Sequence, residues 1–177
     1  SLEPTEKSHF QNEVARLTEE RLGDRAAAIE EYRATLDLDE LDPVALGALE
    51  RLYRETADYD ALIQVLFNKV SIQPENEAAI KIEIGEIYET KLGNSEKAVE
   101  TYEEILSYHP QHRHALERLE ELYSEQEDWR NLAEVFERLL FVADAPEERL
   151  RVCQNLAVLQ ETEFNDKETA VEYYLKI

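Results

Sequence analysis

The chain has 177 residues, of which 41 are Asp or Glu and 19 are Lys or Arg, giving a formal net charge of −22. A hydrophobic fraction of 43 % is enough for a core, while 4 Gly and 5 Pro are too few for a turn-rich β sandwich or barrel. The acidity repels phosphates and argues against nucleic acid and anionic membrane as partners; the single Cys excludes an intramolecular disulfide and a multi-Cys zinc site; and no apolar run approaches the roughly 20 residues of a membrane span.

Taken in chain order, the first recognisable block is Leu22-Gly23-Asp24, Ala28-Ile29-Glu30, Tyr32 and Leu36. The second is Ala45-Leu46, Leu49-Glu50, Leu52-Tyr53, Asp58-Tyr59, Leu62 and Val65. From Ala79 to Lys91, Ile80, Ile84, Ile87 and Tyr88 recur at spacings of three and four, one face of a helix. Leu92-Gly93-Asn94 reads as a stop with a glycine for a left-handed cap, and Ser95 opens the next helix. That helix carries Ala98, Tyr102, Ile105 and Leu106 on one face and ends near Pro110. Leu116, Leu119, Leu122 and Tyr123 form a further stripe, Asp128 is an N-cap signal, and Leu132, Val135, Phe136, Leu139 and Leu140 form the stripe after it. No stretch alternates with period two for long enough to be a strand.

The blocks repeat. Gly23 and Gly93, with their neighbours, stand 70 residues apart, and so do Ala45 and Ala115 with theirs. The first block returns once more as Phe164-Asn165-Asp166, Ala170-Val171-Glu172 and Tyr174. The 70-residue period divides into two units of about 35, each two amphipathic helices. A lone pair cannot bury both of its stripes; stacked pairs can, as an α-solenoid. The units are placed at 8–42, 43–77, 78–112, 113–149 and a partial 150–177, a single repeat domain in an all-α fold.

Several motifs have a bland reading and a chemical one. His109-Pro110-Gln111-His112-Arg113-His114 is the only histidine cluster, and its place at a turn, without Cys, reads as solvated rather than metal-binding. Cys153 falls in the register of Leu46 and Leu116 and reads as a small buried residue, not a nucleophile. The carboxylates lie on polar helix faces, and no calcium-loop pattern occurs. Tyr32, Tyr53, Tyr88, Tyr102, Tyr123, Trp129 and Tyr174 fall at unit-defining positions and read as packing. No cofactor, metal or catalytic site is expected, so the chain is read as a non-enzyme.

The pattern resembles the tetratricopeptide repeat family, in its divergent bacterial form. The unit at 78–112 carries the resemblance best, with Ile84-Gly85, Tyr88, Ala98, Tyr102 and Pro110 in the family's places. Leu46, Leu49, Tyr53, Tyr59 and Pro74, and then Leu116, Leu119, Tyr123, Trp129 and Phe136, repeat it on either side. Glu50 and Glu120 stand where the family prefers Gly or Ala, and Leu62 and Leu132 where it prefers Ala, so alternate units are expected to be spread or tilted. The resemblance implies a right-handed superhelix of about four and a half units. It also implies a protein-interaction scaffold that receives a peptide or partner helix on the concave face of its first helices. By register this points to Arg16, Arg51 and Arg54, then Glu83, Glu86, Glu89, Glu117 and Glu121, then Gln154 and Asn155. The Lys/Asn pattern that clamps a C-terminal carboxylate in some members is not present, so no chaperone-tail receptor is expected. The negative charge favours basic partners. The alternative is a structural spacer or self-associating segment. A start without Met and an end inside a helical pattern read as a piece of a longer chain, and the absence of a visible signal peptide favours the cytoplasm.

Overall fold

The computed structural model describes residues 4–176, with side chains from Glu6 onward. The ends on which the reading as a longer chain rests, residues 1–3 and 177, lie outside the described residues. Ten helices follow in order: α1 Pro4–Leu17, α2 Arg25–Leu38, α3 Pro43–Thr56, α4 Tyr59–Ile72, α5 Glu77–Thr90, α6 Ser95–Tyr108, α7 Arg113–Glu125, α8 Trp129–Val142, α9 Pro146–Thr162 and α10 Lys167–Tyr174. A π-helical turn, Thr18–Leu22, continues α1, and a single 3₁₀ turn, Pro74–Asn76, leads into α5. No strand occurs among the described residues. The fold is an all-α helical repeat.

One turn design joins the two helices of every pair. A residue with left-handed backbone is followed at once by an Asp or Asn that caps the next helix. The left-handed residues are Gly23, Ala57, Gly93, Glu127 and Asn165, with φ between 53° and 66°. The caps are Asp24, Asp58, Asn94, Asp128 and Asp166, each accepting from the backbone N–H three residues on at 3.0–3.2 Å. Helix α6 is therefore capped by Asn94, one residue before Ser95, which is its first residue. The capping side chains satisfy N–H groups that have no partner within the helix.

The first helices start less uniformly. Asp42 caps α3, with Oδ1 accepting from the N–H of Val44 at 3.0 Å and of Ala45 at 2.9 Å. At the equivalent place 70 residues on, the cap of α7 is His112, whose Nδ1 accepts from the N–H of Ala115 at 3.3 Å. His112 is half-buried, so the histidine run is not wholly solvated: one of its members holds a helix end. Burial, then the neighbouring His109 and His114, lower the His112 pKa, which keeps the ring a neutral acceptor.

The helices group into two compact units, Ser1–Leu92 and Gly93–Ile177. In the first, each of α1 to α5 packs on its neighbours in the chain, and in the second each of α6 to α10 does. The core of the first unit holds Tyr32, Leu46, Leu49, Leu52, Leu62, Leu66 and Ile84. That of the second holds Tyr102, Ile105, Leu116, Leu119, Leu122, Leu139 and Leu156. All but Leu66 and Leu156 belong to the blocks and stripes that the periodicity picks out, and Cys153 is buried among them. Helix α10 departs from expectation. It buries Ala170 and Tyr173, three apart, and leaves Tyr174 43 % exposed, so Tyr174 is not the packing residue its alignment with Tyr102 implies.

Candidate interaction surface on the first helices

In the first unit the residues singled out by register lie on α1, α3 and α5, and the arginines among them are already engaged. Arg16 sits between Glu13 at 2.8 Å and Glu20 at 2.7 Å. Arg51 reaches from α3 to Glu19 at 2.7 Å and along its own helix to Glu55 at 3.2 Å. Arg54 joins Glu50 at 2.6 Å to Glu83 of α5 at 2.5 Å. Glu50, which replaces the small residue the family prefers, also pairs with Lys69 of α4. Burial pushes the Glu50 pKa up, but Lys69 and Arg54 outweigh it and the net shift is downward. Glu86 and Glu89 lie half-buried further along α5.

The second unit uses its charges differently. Seventy residues after Arg51 and Arg54 stand Glu121 and Ser124. Glu120, the counterpart of Glu50, pairs with Arg151 of α9 at 2.6 Å, and Glu121 with Arg118 at 2.7 Å. Glu117 lies 3.9 Å from Arg113, whose guanidinium also contacts Glu148 and the Val142 carbonyl. Gln154 is exposed on α9, and Asn155 is half-buried.

Two of the expected residues, Glu121 and Asn155, meet at a cleft of about 480 Å³ between α7, α8 and α9. Its apolar floor is Trp129, Leu132, Phe136, Val158 and Leu159; its polar rim is Glu120, Glu121, Ser124, Asn155, Thr162 and Glu163. No Lys or Arg lines it. Among the described residues the Glu163 side chain has no hydrogen-bond or ion-pair partner. By sequence position Trp129 and Phe136 read only as packing residues. Nothing in their spacing shows that Trp129 stays half-buried at a cleft, because that depends on where α9 lies.

Comparison with known proteins follows the same register. Two family models, both described as tetratricopeptide repeat, match the chain, one at residues 45–78 and 115–150 and the other at 83–112. Among solved structures, a MamA protein is 17 % identical with a TM-score of 0.51, covering 97 % of this chain and 90 % of its own. A MamA structure designated AMB-1 is 16 % identical with a TM-score of 0.53, covering 96 % and 89 %. YrrB, described as a TPR protein with an unusual peptide-binding site, is 14 % identical with a TM-score of 0.50, covering 92 % and 80 %. At these identities the likeness is one of fold. No match was found among curated proteins. Among the described residues no helix is long and apolar enough to cross a membrane.

Proposed function

The chain belongs to the tetratricopeptide repeat family, whose fold serves as a protein-interaction scaffold, and we propose that it is a non-catalytic binding module whose partner contacts the α7–α8–α9 cleft. The observation that carries this reading is the contrast between equivalent faces. In the first unit Arg51 and Arg54 are tied between carboxylates of neighbouring helices. In the second, Glu121 and Ser124 replace them beside an apolar floor that includes Trp129. A partner offering an apolar side chain with a Lys or Arg beside it satisfies both features: the floor takes the apolar group, and the acidic rim takes the cation. A cytoplasmic setting belongs to the same proposal, and the unpaired thiol of Cys153 is compatible with it.

Trp129 is the sole tryptophan, so its emission reports on the cleft directly. Titration with the peptide acetyl-Lys-Leu-Lys-amide is expected to shift that emission saturably. Glu121→Lys combined with Glu163→Lys is expected to weaken the effect about tenfold at low salt, with the difference shrinking as salt rises. Equal titration of the parent and the double variant would remove the cleft as the site. A second reading, self-association, is favoured by α10 and the residue after it, where Val171, Tyr174 and Leu175 are exposed. Light scattering that returns a monomer at high concentration removes that reading.

A further inference from the structure

A different pair of clefts lies on the second helices. In the first unit α2 and α4 flank a cleft of about 480 Å³, floored by Leu49 and Tyr53 of α3. In the second unit α6 and α8 flank one of about 260 Å³, floored by Leu119 and Tyr123 of α7. Most of their lining corresponds at the 70-residue offset, as with Leu36 and Leu106, Tyr53 and Tyr123, and Val65 and Val135.

They differ at the tyrosine. In the second unit the Tyr123 hydroxyl donates to the carboxylate of Glu103 on α6. In the first unit the residue in Glu103's position is Arg33, and among the described residues no carboxylate is hydrogen-bonded to the Tyr53 hydroxyl, although Asp58 and Glu30 lie near enough to act on it electrostatically. Tyr53 is 6 % exposed, and among the described residues its hydroxyl has no hydrogen-bond partner, although it faces the larger cleft. The hydroxyl itself opens onto the water of the cleft, so a ligand carboxylate there would replace water, as Glu103 does at Tyr123 in the second unit. Arg33 pairs with Glu30 at 3.1 Å while staying largely exposed at the mouth, so its guanidinium retains donors for a second carboxylate.

We propose that the α2–α4 cleft is a second binding site, distinct from the α7–α8–α9 cleft, and that it takes a glutamate side chain of a partner protein onto the Tyr53 hydroxyl and the Arg33 guanidinium. Glu103 is the internal copy of that ligand. The chain's negative charge does not forbid it locally. With the ligand in place, Glu30, Asp58 and the incoming carboxylate would face Arg33. The second unit already holds an equal set at this spot, in Glu103, Glu134 and Asp128 with Arg138. Ile29, Leu36 and Val65 supply apolar walls for the methylenes of the glutamate.

The test uses the full chain, with side-chain NMR of Tyr53 and Arg33 as the readout. The probe is acetyl-Ala-Glu-Ala-amide, whose only carboxylate is the side chain. Saturable shifts at Tyr53 and Arg33 are expected, with acetyl-Ala-Gln-Ala-amide at least about tenfold weaker, as fits loss of a charge-assisted hydrogen bond. Arg33→Glu installs the second unit's residue and is expected to abolish the response. Tyr53→Phe is expected to weaken it about tenfold. Glu103→Arg opens the other cleft and is expected to create a response at Tyr123, a gain that misfolding cannot mimic. Equal titration by the Glu and Gln peptides overturns the proposal, as does a parent-like response in Arg33→Glu. So does an equal response to acetyl-Ala-Gln-Ala with a free C-terminus, which would assign the site to a chain end. The Trp129 titration is independent of all these arms, so the two sites stand or fall separately.

Discussion

Asp42 ties two elements of the first unit together. It is 8 % exposed, and its carboxylate accepts from the Ser8 hydroxyl at 2.9 Å, the Asn12 amide at 3.0 Å and two backbone N–H groups of α3. It therefore caps α3 and fastens α1 to that cap at once. Burial raises its pKa, but the four hydrogen bonds outweigh burial and the net shift is downward. A carboxyl held lower in the folded state than its unfolded value of about 3.9 contributes stability that is full above that value. The contribution is lost as pH falls through the folded pKa. Asp42→Ala is expected to cost about 2 kcal/mol at neutral pH. In urea melts the gap between parent and variant should close progressively as pH falls below the unfolded value of about 3.9. A gap that persists unchanged in acid would mean that the charge of Asp42 is not what holds the contact. Residue-scale roles such as this were not legible in the sequence. The acceptor at 42 and its donors at 8 and 12 are 30 and more residues apart, and only the packing of α1 against the start of α3 brings them together. The same holds for Arg51 and Arg54. Register placed them on the first helices, but their partners Glu19 and Glu83 lie 32 and 29 residues away on other helices.

At the scale of the element, most of what the structure shows was legible, because helices and their caps are local. The stripes at spacings of three and four became the buried faces, and the Leu-Gly-Asp and Leu-Gly-Asn turns became left-handed residues followed by caps. What stayed hidden is that all five turns are alike, since only two of the five carry the glycine that advertises a positive φ. Ala57 and Glu127 take the same backbone with a Cβ, which costs about 1 kcal/mol or more. Glu127→Gly is therefore expected to stabilise the chain by about 0.5–1 kcal/mol. Gly93→Ala is expected to destabilise it by a similar amount, although an added Cβ at Gly93 would meet nothing within 4 Å. Paired urea melts check both. If Glu127→Gly is neutral, the greater freedom of glycine in the unfolded chain has cancelled the relief of the turn. If Gly93→Ala is harmless, the turn tolerates a side chain and the shared geometry imposes no backbone penalty.

For the whole molecule the decisive quantity is the excess of 41 acidic over 19 basic residues. Many of the bases are already engaged: Arg16, Arg51, Arg54, Arg113 and Arg151 each hold at least one glutamate. Most of these pairs are exposed to solvent, where such a contact contributes on the order of 0–1 kcal/mol. The unbalanced carboxylates act together over longer distances, and their mutual repulsion opposes the compact state. Salt weakens both effects but not equally. Raising ionic strength from about 0.01 M to about 0.15 M shortens the screening length from about 30 Å to about 8 Å. Contacts at 2.5–3.5 Å fall well inside either length and keep most of their attraction. Repulsion between carboxylates on different helices acts across the range that is screened away. The melting temperature in sodium chloride is therefore expected to rise over that interval, by several degrees, the reverse of a fold held by its ion pairs. Acting on the same charges, salt should weaken the Lys-Leu-Lys peptide, because that attraction is the counterpart of the repulsion being screened. A melting temperature that falls with salt would show that the ladders of Arg51 and Arg54 outweigh the excess. The arginines singled out in the sequence would then matter for stability more than the acidity around them.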